Sequence, residues 1–165
     1  MKRNGRGWLR RVLISAGIAV PLGIAMLWMR FDSGPLPAIA LETPNGRILV
    51  EVADTPAARS TGLSNREALS GIDGLLLKWD APGRHPIWMA GMRFSLDLIW
   101  IETNGHIVAV LTNVPPCRTD PCPLYEPDGA ERSIAVLEIP AGAAASHGIA
   151  AGAIVRLSTN ALQTP

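Results

Sequence analysis

Eighteen consecutive residues without a charge, Val12 to Met29 (VLISAGIAVPLGIAMLWM), constrain this chain more than any other feature of its sequence. As a helix they would reach about 27 Å, close to the ~30 Å hydrocarbon core of a bilayer. Lys2, Arg3, Arg6, Arg10 and Arg11 precede the stretch and Arg30 closes it, an asymmetry that predicts an N-terminus in the cytoplasm and a body carried across. Trp8 and Trp28 stand near the two ends, where indoles favour the interface, and Pro21 and Gly23 are tolerated inside membrane helices. The competing reading is a cleaved signal peptide, with Ala38-Ile39-Ala40 as the small-x-small site and cleavage after Ala40. Against it, the run exceeds the usual apolar region of about 7–15 residues and Arg30 interrupts the approach to that site. A third reading, a buried core helix, would demand a partner surface from a short remaining chain.

The expected organisation is a basic cytoplasmic region at 1–11, a transmembrane anchor or signal segment at 12–29, a linker at 30–40 and an exported domain at 41–160. That places the protein in the inner membrane as a single-pass chain with a periplasmic C-terminal domain, or in the periplasm if it is cleaved. With 48% hydrophobic and 18% charged residues, the chain is neither disordered nor collagen-like. Beyond residue 40 there are nine basic residues against thirteen acidic ones. Such a body offers no electrostatic footprint for a phosphate backbone, and nucleic acid is not an expected partner.

Patterning in the body is dominated by strands. Leu41 to Thr43, the turn Pro44-Asn45-Gly46 and Arg47 to Val52 read as an opening hairpin. Thr55-Pro56 is a helix start, a capping hydroxyl followed by proline at the first helical position, with Gly62 and Gly71 limiting the helix. Leu75 to Trp79 is a short strand, and Phe94 to Ile101, apolar on both faces except at Ser95 and Asp97, is expected as a central strand covered on both sides. Asn104-Gly105 turns it into His106 to Val114. Val114 to Gly129 carries five prolines and both cysteines and reads as a long loop. Ser133 to Ile139 is a strand, Pro140 to His147 a short helix ended by Gly148, and Ala153 to Leu157 a last strand. The fold class expected is mainly β with some α: a compact antiparallel β-barrel or curled sheet with one or two short peripheral helices.

Several blocks then fall into a familiar order. These are Thr55-Pro56 with Arg59 and Gly62-Leu63, Gly74-Leu75-Leu76, Trp88-Met89-x-x-Met92, Leu96-Asp97-x-x-Trp100-Ile101, Pro115-Pro116-Cys117-x-x-Asp120-Pro121-Cys122-Pro123 with Tyr125, and Leu137-Glu138 with Ala141-Gly142. Over about residues 47 to 157 the chain resembles uncharacterised-protein family 0127, also called domain-of-unknown-function 192. The resemblance implies a small β-rich domain, often behind a signal or membrane segment, and no established activity. Where many relatives carry Lys or Arg after the Trp-Met pair this chain has Ala90, and where they continue Gly-Leu with an apolar residue it has Ser64-Asn65.

Chemistry-bearing side chains gather in two segments. Cys117 and Cys122 form a C-x4-C in a proline-rich loop, which in an oxidising compartment reads as a structural disulfide; metal or thiol chemistry is the alternative. His85, Met89 and Met92, beside Trp88, are the donor types a soft monovalent copper ion uses, although methionines fill β-rich cores far more often. Asp97 sits between apolar neighbours and must either accept hydrogen bonds from loop amides, pair with an arginine such as Arg93, or serve as a proton-bearing acid. Tyr125, the single tyrosine, can present a ring beside Trp88. The G-x-S-x-G, H-E-x-x-H, P-loop and G-x-G-x-x-G patterns do not occur in the sequence. The expectation is a non-enzymatic, membrane-tethered envelope module, bound to the membrane through residues 12–29, with Trp88, Met89, Met92, Asp97 and Tyr125 receiving an envelope protein, peptide or glycan and no cofactor. The alternatives are copper handling by His85, Met89 and Met92, and an envelope-polymer enzyme with Asp97 as acid.

Overall fold

A computed structural model describes residues 35–157. The transmembrane or signal helix expected at 12–29 and the end of the expected domain at 158–160 lie outside them. Among the described residues no helix is long and apolar enough to cross a membrane.

The chain opens with β1 (Ala38–Thr43) and β2 (Gly46–Ala53), an antiparallel hairpin closed across Thr43 and Gly46. The first strand therefore starts inside the segment expected as linker, because Ala38, Ile39 and Ala40 pair with Glu51, Val50 and Leu49. Helix α1 (Pro56–Thr61) begins as the sequence predicts: the Thr55 side chain accepts from the Ala58 amide and Pro56 stands in the first turn. Gly62, at φ 52°, ends it. The chain then returns as β3 (Gly74–Gly83), which runs parallel to β2. Here the expected all-antiparallel pairing is corrected: α1 and the loop after it carry the chain back across the sheet, as a parallel neighbour requires.

After β4 (Ile87–Trp88) come β5 (Leu96–Ile101) and β6 (Ile107–Val114), an antiparallel hairpin, and then β7 (Leu124–Tyr125), β8 (Ser133–Pro140), α2 (Ala143–Ser146) and β9 (Arg156–Leu157). Strands β6-β5-β8-β3-β2-β1-β9 form one seven-stranded sheet, and β4-β7 a separate two-stranded ribbon. All six residues of β5 are buried, as expected of a central strand covered on both sides. The sheet curls into a half-barrel whose edges meet at one end: the Ile107 amide donates to Ala153 O and the Val155 amide to Gly105 O. Gly105, at φ +84°, permits this approach, since a Cβ there would stand 2.1 Å from the Val155 carbonyl oxygen.

Two further expectations change in detail. The Val114–Gly129 segment is not wholly loop, because Leu124-Tyr125 pairs with Ile87-Trp88, a stretch too short to carry a period. Pro140 belongs to β8 opposite Leu96, and the helix expected from it waits until Ala143 because Gly142 adopts φ 88°. Apolar side chains fill both faces of the sheet. Leu76, Ile99, Leu137 and Ile139 lie in one cluster, and Leu75, Leu77, Leu98, Trp100 and Val136 in the other.

Asp97 ties the first of these faces together. Its Oδ2 accepts from the amides of Gly142 (2.9 Å) and Ala144 (3.0 Å), and its Oδ1 from the Asn113 amide (2.8 Å). It caps α2 from another element, since the helix's own N-cap residue is a glycine without a side chain. The Asn113 amide reaches it because β6 bulges opposite Asp97, with Asn113 at φ 53°. Asp97→Asn removes acceptor capacity that three buried or half-buried amides need. It is expected to lower unfolding free energy by about 2–3 kcal/mol, measured by urea denaturation of the full-length chain.

Candidate functional site

On the opposite face of the sheet from Asp97, a second carboxyl is buried under different conditions. Glu138 is 5% exposed on β8, in register with Leu75 of β3 and Leu98 of β5. Strand alternation turns it towards the cluster of Leu98, Trp100 and Val136. Among the described residues no donor forms a hydrogen bond with its side chain. Burial pushes its pKa up from 4.5 to about 8, and the positive charge of Arg66 opposes the rise. Arg66 is itself engaged by Glu51 at 2.6 Å.

Glu138 opens onto a cavity of about 360 Å³ bordered by α1, the loop after it and the β4-β7 ribbon. Its carboxyl faces the end of α1, where a Cβ added to Gly62 would stand 3.8 Å from Glu138 Oε2. Trp79 and Arg59 border the cavity on one side, and Trp88, Leu124 and Met92 elsewhere. Trp88 and Leu124 are cross-strand partners in the ribbon and are exposed at 51% and 64%. Ser64 and Thr61 add hydroxyl groups, each already donating its proton to a carbonyl, Ala90 O at 2.8 Å and Ala57 O at 3.0 Å.

The Trp79 wall is braced from several directions. The His85 ring stacks on the indole with centroids 3.9 Å apart and planes 7° from parallel, while the Arg59 guanidinium lies 5.2 Å from the ring centroid. Arg59 Nη1 also donates to Asp54 O and Lys78 O, at 2.5 and 2.7 Å. His85 is buried, its pKa is lowered chiefly by burial, and its Nε2 has no hydrogen-bond partner among the described residues. Behind it the Trp100 indole donates to the His85 carbonyl at 3.1 Å. Such bracing holds side chains in one geometry before anything binds.

The residues expected to form one site are therefore divided. Trp88 and Met92 line this cavity. Met89 is 1% exposed and lies in the core, where its carbonyl accepts from the Cys117 amide at 3.0 Å. Tyr125 is half-buried in the ribbon opposite Ile87 and packs against the same cluster. Asp97 belongs to the other face, and its partners are amides; Arg93 stands instead 3.6 Å from Glu67. Cys117 and Cys122 are disulfide-bonded, with Cα atoms 5.8 Å apart, in the loop that leads into β7. His85 packs against Trp79. Among the described residues no three His, Cys, Asp or Glu side chains converge as a metal-holding set.

Glu138, Trp79, Leu124 and Arg59 were not among the expected site residues. A signal for Glu138 was present, as it is the one charged residue in the strand SIAVLEIP and sits on the same face as Val136. Leu124 had no comparable signal, because its exposure follows from a two-residue pairing that only the folded chain makes.

A family model described as "Uncharacterized ACR", DUF192, matches residues 39–157. The fold is similar to the crystal structure of a protein of unknown function from Novosphingobium aromaticivorans DSM 12444, with 26% sequence identity, 72% of this chain and 83% of that chain covered, and a TM-score of 0.61. It is also similar to that of a protein described as a candidate transcription regulator from Sinorhizobium meliloti 1021, with 24% identity, 73% and 92% covered, and a TM-score of 0.63. No curated protein matches.

A carboxyl whose pKa rises from 4.5 to about 8 on folding binds its proton more tightly in the native state. Its contribution to stability is complete below the unfolded value and is lost as pH climbs through the folded one. Glu138→Gln, neutral at every pH, is therefore expected to resist urea better than the parent chain at pH 8.5. The advantage should shrink towards pH 5, as read from paired denaturation curves.

Proposed function

The chain belongs to the domain-of-unknown-function 192 family, and from that premise we propose that it is a non-enzymatic binding module of the cell envelope, whose ligand occupies the groove over Glu138. The observation that carries this reading is the Glu138 carboxyl, which forms no hydrogen bond among the described residues and opens onto a cavity beside an exposed indole. The Glu138 carboxyl oxygens reach the cavity and not the closed core, so they are free to meet water or a ligand group there. The volume of about 360 Å³ falls within the range of small-ligand sites, and a mostly apolar lining with a few polar groups is their usual character. Among the described lining residues Glu138 is the one carboxylic acid, with no His or Cys beside it. The groove thus has a contact point without an acid–base pair or an activated nucleophile, which favours binding over turnover.

The envelope part rests on the apolar stretch at 12–29 with its basic flank, and on a disulfide suited to an oxidising compartment. Retention of the segment as an anchor is favoured because cleavage after Ala40 would remove half of β1 and three pairings with β2. On this reading the domain stands on the periplasmic side of the inner membrane, tethered by residues 30–37.

Two measurements test the proposal. Alkaline phosphatase fused to the C-terminus is expected to be active in intact cells; activity of a cytoplasmic reporter alone overturns the envelope location. A photo-crosslinking amino acid at position 88 is expected to capture an adduct in cells that the same group at the exposed position 156 on β9 does not. Equal labelling from both positions, or none from 88, removes the groove as the binding site.

A further inference from the structure

Resting on that groove, we propose that its occupant is a neutral, hydroxyl-bearing ring, a segment of a carbohydrate chain, which stacks on Trp88 and shares a hydroxyl hydrogen bond with Glu138. Trp88 is the first reason. Its ring stays 51% exposed at the rim of the cavity, opposite Leu124 at 64%. An indole face carries negative quadrupole density, which suits the polarised C–H face of a sugar ring.

The polar groups of the groove give the second. Thr61 and Ser64 have already donated their hydroxyl protons to carbonyls, so what they offer a ligand is acceptor capacity. Glu138 lines the same groove beside Gly62, and its carboxyl forms no hydrogen bond among the described residues. With its pKa raised to about 8, it keeps its proton at neutral pH and both donates and accepts. A hydroxyl is the ligand group that also does both. An ammonium or guanidinium ligand would require an ionised Glu138, and it would enter a groove that Arg59 already borders and whose carboxyl already feels Arg66. An anion would hold Glu138 protonated and use its O–H alone, leaving the acid's acceptor oxygen without a donor. Neutral polyhydroxyl chemistry satisfies the donors and acceptors present without bringing in a charge.

The test uses the full-length chain in lipid nanodiscs, with tetra-N-acetylchitotetraose and cellotetraose as neutral probes and trilysine as the cationic contrast, followed by calorimetry. At least one saccharide is expected to bind. Trp88→Ala and Glu138→Leu should each weaken it by about tenfold or more, the scale of one lost buried contact. Glu138→Gln, which keeps a donor and an acceptor without charge, should stay within about threefold of the parent. If trilysine binds, the saccharides do not, and Glu138→Gln abolishes the binding, the ligand class is overturned while the groove stands. If a saccharide binds the parent, Trp88→Ala and Glu138→Leu chains alike, the groove itself is overturned. Absence of binding by both saccharides at millimolar concentration overturns the proposal.

Discussion

Three backbone amides converge on one carboxylate, Asp97, and the arrangement of the half-barrel follows from that convergence. The donors come from Asn113 at the bulge of β6 and from Gly142 and Ala144 at the start of α2. The central strand, its hairpin partner and the segment after β8 are thereby held at one point. Carboxyl oxygens accept hydrogen bonds from amides, so a cluster of inward-pointing amides suits Asp97 and would be left unsatisfied by an apolar residue of equal size. With β5 fixed in this way, β8 beside it is fixed in register, and Glu138 is placed on the face turned away from Asp97.

The two acids are near neighbours on adjacent strands and have opposite fates. Asp97 is surrounded by amides and has a structural task. Glu138 is buried to nearly the same degree, receives no hydrogen bond within the described residues, and answers by holding its proton more firmly. Chemical type does not separate them, and burial does not either. The difference lies in the loops packed over each face: on one side the N-terminus of a short helix supplies donors, and on the other the C-terminal end of α1 and the β4-β7 ribbon leave a cavity. Trp79, stacked on His85 and set under Arg59, forms part of that cavity's wall.

Much of the strand framework was legible from local pattern. The opening hairpin, the capped start of α1, the doubly covered β5 and the β5–β6 hairpin all follow from alternation, turn residues and a proline in the first helical turn. The parallel seam between β2 and β3 was not legible, because alternation reports which face a residue takes and is silent on the direction of its neighbour. Nor was the β4-β7 ribbon, whose two pairs are contacts between residues far apart in the chain. The candidate site was legible only in part. Trp88 and Met92 reached the cavity, Met89 and Asp97 went to structural duties, and Glu138, visible as a lone charge in an apolar strand, needed its neighbours on β3 and β5 before its isolation could be seen.

By itself the sequence determined the strand-rich class, the positions of the turns and the chemistry available, since these depend on periods of two, on capping groups and on residue types close in the chain. It also set out the apolar stretch and the basic flank that carry the expectation of a membrane anchor. Only the tertiary structure decided which acid would receive backbone amides and which would face a cavity. Hydrogen-bond donors are supplied by whatever packs across a face, and that is settled by contacts between residues distant in sequence, which no local pattern encodes.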